Sequence, residues 1–155
     1  MIRKINAGKI VGVETSIFTI MNPEKYDPKA IPSAWQEFFS LYKSSNLPKT
    51  HIYYGAAIPN NSMDSQMQYF AGILVNLSEP TPSGFVEVPI PEGDYFCFTH
   101  IGPISGLGES YGRAYGIELP ASGKEMRSAP HLEIYESNKD PMANDYEMVI
   151  AIPVV

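Results

Sequence analysis

Glu133 carries the sharpest chemical signal in the chain, within the run Pro130-His131-Leu132-Glu133-Ile134-Tyr135. Read as a strand, this run alternates its side chains between two faces. Leu132 and Ile134 share one face, suited to packing on a helix, and His131, Glu133 and Tyr135 share the other. A carboxylate among apolar neighbours is costly to bury unless it is paired or bound to a ligand. In an apolar cavity it selects a cation or a polar hydrogen-bond donor; on a half-exposed strand it is simply hydrated. Aromatic residues are the second signal, with ten Tyr, seven Phe and one Trp in 155 residues. Tyr53, Tyr54, Tyr69, Phe70, Tyr111 and Tyr135 fall on predicted elements, and Trp35 on a predicted helix. Taken singly, each suits a core. Together they offer stacking and cation–π surfaces, each worth about 0.5–2 kcal/mol, and hydroxyls able to hold Glu133.

Other reactive residue types are poorly placed. Cys97 and His100 fall on opposite faces of one predicted strand, and Cys97 reads as a small buried hydrophobe. His51, His100 and His131 lack helical metal-ligand spacing, although a pseudo-dyad would allow His51 and His131 to meet. We therefore expect no metal, no cofactor and no catalytic nucleophile. The run Gly106-Leu107-Gly108-Glu109-Ser110-Tyr111-Gly112 imitates a dinucleotide loop, but its spacing is wrong and the rest of a βαβ unit is absent. Gly108, Gly112 and Gly116 read instead as a small-residue stripe where a helix packs closely.

The elements that must position these groups repeat in order. Lys9–Phe18 reads as a strand, and 22–32 as a loop. Ile31, Ala34, Trp35, Phe38, Phe39 and Tyr42 mark one face of a helix that opens near Pro32. Thr50–Ile58 and Met67–Leu77 read as a hairpin around a turn at 59–62. After the Pro- and Gly-rich linker Glu79–Gly84, strands are expected at Phe85–Pro89 and Asp94–Ile101. Ile104, Leu107, Tyr111 and Tyr115 mark a second helix, Pro120–Pro130 a loop, and His131–Ser137 and Tyr146–Val155 the last strands. The fold class is α+β. Duplicated strand-helix-strand-strand modules, about 8–78 and 85–155, form one domain with antiparallel sheet and both helices on one face. The opposite, concave face is expected to hold a ligand cleft.

Composition narrows the function. The net charge is −6, with +2 on residues 1–77 and −8 on residues 78–155. A net-acidic chain without a basic run is a poor nucleic-acid binder, because phosphate neutralisation supplies most non-specific affinity. One cysteine excludes an internal disulfide framework. No apolar run approaches the roughly 20 residues of a membrane helix, and the first residues do not read as a secretory signal. A soluble cytoplasmic protein is expected, and the glycosylation-like Asn60-Asn61-Ser62 and Asn76-Leu77-Ser78 read as chance.

A family resemblance gathers these features. It rests on Val88 to Pro103, including Pro91-Glu92-Gly93-Asp94-Tyr95 and Thr99-His100-Ile101-Gly102-Pro103. It continues through the Leu107/Tyr111/Tyr115 helix, Leu119 to Gly123, Pro130 to Tyr135 and Ile150 to Val154. Together they resemble the effector-binding domain shared by AraC- and MerR-type multidrug regulators and by gyrase-inhibitory proteins. The resemblance implies a cavity between two halves in which the position of Glu133 contacts cationic, aromatic or lipophilic ligands. It matches the family's helix tryptophan to Trp35 and gives Tyr53 the place that mirrors Glu133. The chain resembles stand-alone members, some carried on mobile gene cassettes. Regulation would then need a separate protein partner, with no direct DNA binding.

The expected function is binding of small cationic or amphipathic organic molecules without transforming them. Trp35, Tyr53, Phe70, Tyr111 and Tyr135 would exclude water, and Glu133 would supply the counter-charge. Two other readings stand beside it: a protein-interaction module similar to gyrase inhibitors, and a hydrolase using a Glu/Tyr pair.

Overall fold

The computed structural model describes residues 1–18, 24–59 and 66–155. The turn expected at 59–62 and the start of the loop expected at 22–32 fall largely outside these residues. The order of elements is β1 (Ile2–Ile5), β2 (Gly8–Phe18), α1 (Ala30–Tyr42), β3 (Tyr53–Pro59), β4 (Gln66–Val75), β5 (Val86–Ile90), β6 (Gly93–Ile101), α2 (Leu107–Arg113), α3 (Leu119–Ser122), β7 (His131–Tyr135) and β8 (Glu147–Val154). This is an α+β fold.

All eight strands join one curled, antiparallel sheet in the order β1-β6-β8-β7-β3-β4-β2-β5. The central pair, β7 and β3, brings the two halves of the chain together. At the edges the halves exchange strands: β1 pairs with β6, and β5 pairs with β2. The sequence reading has no β1, because four residues with Arg3 and Lys4 at their centre show too little alternation.

The two faces of the sheet hold different cores. Ile10, Phe70, Val88, Ile90, Tyr95, Leu132, Ile134 and Ala151 fill the concave side with no helical residue among them. On the other face α1 covers β2 and β4. Ala34, Phe38 and Tyr42, spaced four residues apart, are its buried stripe against Val11, Val13, Ala71 and Ile73. Pro32 sits in the first turn of α1, where no intrahelical N–H is required. The second helical segment covers β6 and β8 through Leu107, Tyr111, Ala114, Tyr115 and Leu119. It does not stop at Pro120. A wide π-type turn over Ala114–Glu118 leads into α3, which relieves the clash a proline ring makes with the carbonyl four residues earlier.

The expectation of a close-packed glycine stripe is overturned. A Cβ at Gly108, Gly112 or Gly116 meets nothing within 4 Å, because these residues lie on the exposed side of the helix and the larger side chains make the contact.

Candidate functional site

Alternation along β7 divides its residues between the two cores. Leu132 and Ile134 enter the concave core, not a helix interface, and Glu133 turns to the helix-bearing face. There it is 8% exposed. Three hydroxyls donate to it: Tyr69 of β4 at 2.8 Å and Tyr135 of β7 at 2.9 Å, both to Oε1, and Tyr111 of α2 to Oε2. Trp35 of α1 donates its indole N–H to the Tyr69 hydroxyl oxygen at 3.1 Å. The carboxylate is thus buried with charge-assisted partners, which offsets its desolvation. Burial, aided by the adjacent Glu133, pushes the Tyr69, Tyr111 and Tyr135 hydroxyls well above their ordinary range. They therefore remain protonated donors.

Two histidines brace the cluster. His100 is buried, with Nε2 3.1 Å from the Gly102 carbonyl and 3.0 Å from that of Pro103, and Nδ1 2.6 Å from Ser110 Oγ. Two carbonyl acceptors require the proton on Nε2, so Nδ1 accepts from Ser110. This fixes the start of α2 and hence Tyr111, the next residue. The Tyr115 hydroxyl, one turn on, is hydrogen-bonded to His131 Nδ1 at 2.5 Å, with the two rings stacked at 5.8 Å. Burial lowers the His131 pKa. His51 is exposed ahead of β3, and β3 presents Ala57, not His51, opposite His131. Cys97 lies in the concave core, on the face away from His100.

An apolar cavity of about 360 Å³ adjoins the cluster. Trp35 and Phe39 of α1, Tyr53 of β3 and Tyr135 of β7 form its aromatic wall, and Ile104 and Tyr146 contribute from the C-terminal half. The Trp35 and Tyr135 rings meet edge to face at 5.3 Å. These two residues belong to both features. They wall the cavity, and they are bonded to Glu133, Tyr135 directly and Trp35 through Tyr69. A hollow of about 490 Å³ lined by Arg3, Lys4, Tyr54 and Glu79 shares none of these groups, so the aromatic cavity is the candidate site.

The structure brings Trp35, Tyr53, Tyr135, Tyr111 and Glu133 together, with Glu133 and Tyr111 behind the wall. Phe70 is elsewhere: it packs in the concave core against residues such as Ile10 and Leu132. Neighbours on a strand face opposite ways, and the residue that reaches Glu133 is Tyr69. The cavity also lies on the helix-bearing side, not on the concave face where the cleft was expected. The curl of the sheet closes that face around its own apolar side chains. Register pairs Tyr53 with Tyr135, and Gly55 with Glu133; these two pairs mirror each other with Tyr53 in the place of Glu133, and Gly55 faces the carboxylate. Tyr69 is among the tyrosines whose hydroxyls were expected to be able to hold Glu133, but the site reading chose its neighbour Phe70; Gly55 and the His100–Ser110 brace have no place in it. Strand period was the one available signal for Tyr69, and a glycine inside a strand was the signal for close approach at residue 55.

The fold and site define a small-molecule-binding domain. The chain belongs to the GyrI-like small-molecule-binding domain family, whose match spans residues 1–155. Three similar solved structures share the fold. SAV2435, solved bound to tetraphenylphosphonium, is 17% identical with a TM-score of 0.73, covering 100% of this chain and 93% of its own. An integron cassette protein from the mobile metagenome of Vibrio cholerae is 19% identical with a TM-score of 0.68, covering 100% and 95%. A hydrolase from Listeria innocua is 12% identical with a TM-score of 0.55, covering 99% and 91%. No protein of curated function matches the sequence. Among the described residues, no helix is long and apolar enough to cross a membrane.

Proposed function

We propose that this domain binds lipophilic organic cations in the aromatic cavity between its two halves and releases them unchanged. The observation that carries this reading is a buried carboxylate held behind an aromatic wall: Glu133 accepts from Tyr135, whose ring lines the cavity. A hydroxyl that donates to a carboxylate leaves its ring richer in electrons, which favours a cation on the ring face. An apolar cavity with few polar groups also suits a desolvated, delocalised charge. The tetraphenylphosphonium held by SAV2435 is a ligand of this kind. Aromatic lining of a formed cavity favours this reading over a protein-interaction module, which needs an open surface.

Hydrolysis is the second reading, supported by the Tyr111–Glu133 hydrogen bond and by the hydrolase of the same fold. Three hydroxyls already engage the Glu133 oxygens, and Glu133 does not line the cavity. Binding therefore fits the geometry better. A thermal-shift screen of lipophilic cations against neutral isosteres of the same shape tests the proposal, with product analysis of each mixture. Stabilisation by the cations with no turnover is expected. Equal response to the neutral isosteres, or conversion of a ligand, overturns it.

A further inference from the structure

The cavity is not uniform. Beside its aromatic wall, the segment from Ser137 to Tyr146 contributes the polar side chains of Ser137, Lys139 and Tyr146 to the lining. Tyr146 is 5% exposed and lines the cavity, yet its hydroxyl has no hydrogen-bond partner among the described residues. Every other tyrosine as buried as this one spends its hydroxyl: Tyr42 on the Pro48 carbonyl, Tyr69 on Glu133 and Tyr95 on the Pro130 carbonyl. No buried side-chain oxygen lacks a partner among the described residues, so this hydroxyl stays open to water in the cavity and can exchange that water for an acceptor on a ligand. Among the described residues, Lys139 is the one charged residue of the cavity lining. Its ammonium lies 3.3 Å from the backbone carbonyl of Asp145, the residue before Tyr146, and 3.4 Å from the Asp145 carboxylate. That pair is half exposed on Lys139 and largely exposed on Asp145. Such pairs hold weakly in water and yield readily to a competing acceptor.

We infer that Lys139 and Tyr146 form an acceptor-binding end of the cavity, so that it favours bipolar ligands: an aromatic cationic body against Trp35 and Tyr135, and a carboxylate or comparable acceptor at Lys139 and Tyr146. This rests on the proposed reading of the cavity as a cation site. Burial and the charge of Glu133 hold the Tyr146 hydroxyl above its ordinary range, which keeps it a donor. A plain cation meets Lys139 as a like charge at the rim, whereas a zwitterion turns that charge to advantage.

The test compares two probes by calorimetry at neutral pH: pentyltriphenylphosphonium, and (4-carboxybutyl)triphenylphosphonium, which differs by its carboxylate. The zwitterion is expected to bind about fivefold tighter. Lys139→Gln should bring the ratio of the two affinities close to one. Tyr146→Phe, which keeps the buried ring, should lower it in part. Equal affinities in the unaltered protein, or a ratio unmoved by both substitutions, overturns the inference while leaving the cation site in place. Failure of the zwitterion alone to bind overturns the inference, and failure of both probes to bind overturns the cation site and this inference with it.

Discussion

Gly55 and Glu133 are directly paired across β3 and β7, and a methyl group at residue 55 would stand 2.8 Å from Glu133 Oε1 and overlap the Tyr69 hydroxyl. The space a side chain would fill is taken by the carboxylate and its donor. Gly55→Ala is therefore expected to push Tyr69 and Glu133 apart and to destabilise the fold by about 1–3 kcal/mol, as overpacking of a tight interior does. Urea denaturation measures this. A loss below about 0.5 kcal/mol would show that the cluster can shift freely.

Glu133→Gln should leave the fold intact, since an amide can still pair with the tyrosine hydroxyls. It is expected to weaken lipophilic cations by about 1 kcal/mol, because the carboxylate lies behind the wall and acts through the Tyr135 ring, not by contact. Neutral analogues should hardly change. Equal losses for charged and neutral ligands in titration calorimetry would remove the counter-charge role.

Stability should fall at high pH. An unfolded tyrosine ionises near pH 10, while Tyr69, Tyr111 and Tyr135 hold their protons well beyond that in the folded state. The unfolded chain then binds fewer protons than the folded one, so the contribution is complete below about pH 10 and declines above it. Urea midpoints between pH 8 and pH 11 should show the decline, and Tyr69→Phe should flatten it. An identical slope in that variant would sink the assignment.

Trp35 is the one tryptophan of the sequence, so its fluorescence reports the cavity wall. An aromatic cation should quench or shift its emission. Trp35→Phe, which loses the bond to Tyr69, is expected to cost about 0.5–2 kcal/mol of cation affinity. Calorimetric binding with unchanged emission and unchanged affinity in Trp35→Phe would return Trp35 to a purely structural role.

Duplex DNA should bind no tighter than roughly 10⁻⁴ M at physiological salt, since a chain of charge −6 has no basic stripe to neutralise phosphates. Micromolar affinity by fluorescence anisotropy would contradict this.

The sequence made Glu133 legible because a carboxylate alternating with Leu132 and Ile134 is conspicuous, and Trp35 because it stands on a clear helical face. Phe70 misled for a related reason. It and Tyr69 are equally aromatic, and the strand's register, set by partners far away in sequence, decides which one meets Glu133. The side of the cleft was hidden too. Local periodicity defines two faces for each strand, but only the curl of the complete sheet determines which face closes on itself. Pro120 looked like the end of a helix because a widened turn at Ala114–Glu118 leaves no mark in composition.

The exchange of β1 and β5 between the halves bears on how a guest gets in. A seam stitched at the centre by β3 and β7 and again at each edge cannot swing open like a clam shell without unzipping backbone pairing. Admission must then be a local affair of the segment from Ser137 to Tyr146 and of side-chain rotation on α1. For the same reason, splitting the gene at the linker would yield two fragments that each lack an edge strand held by the other. Neither is expected to fold alone, but mixed together they should reassemble by trading those strands.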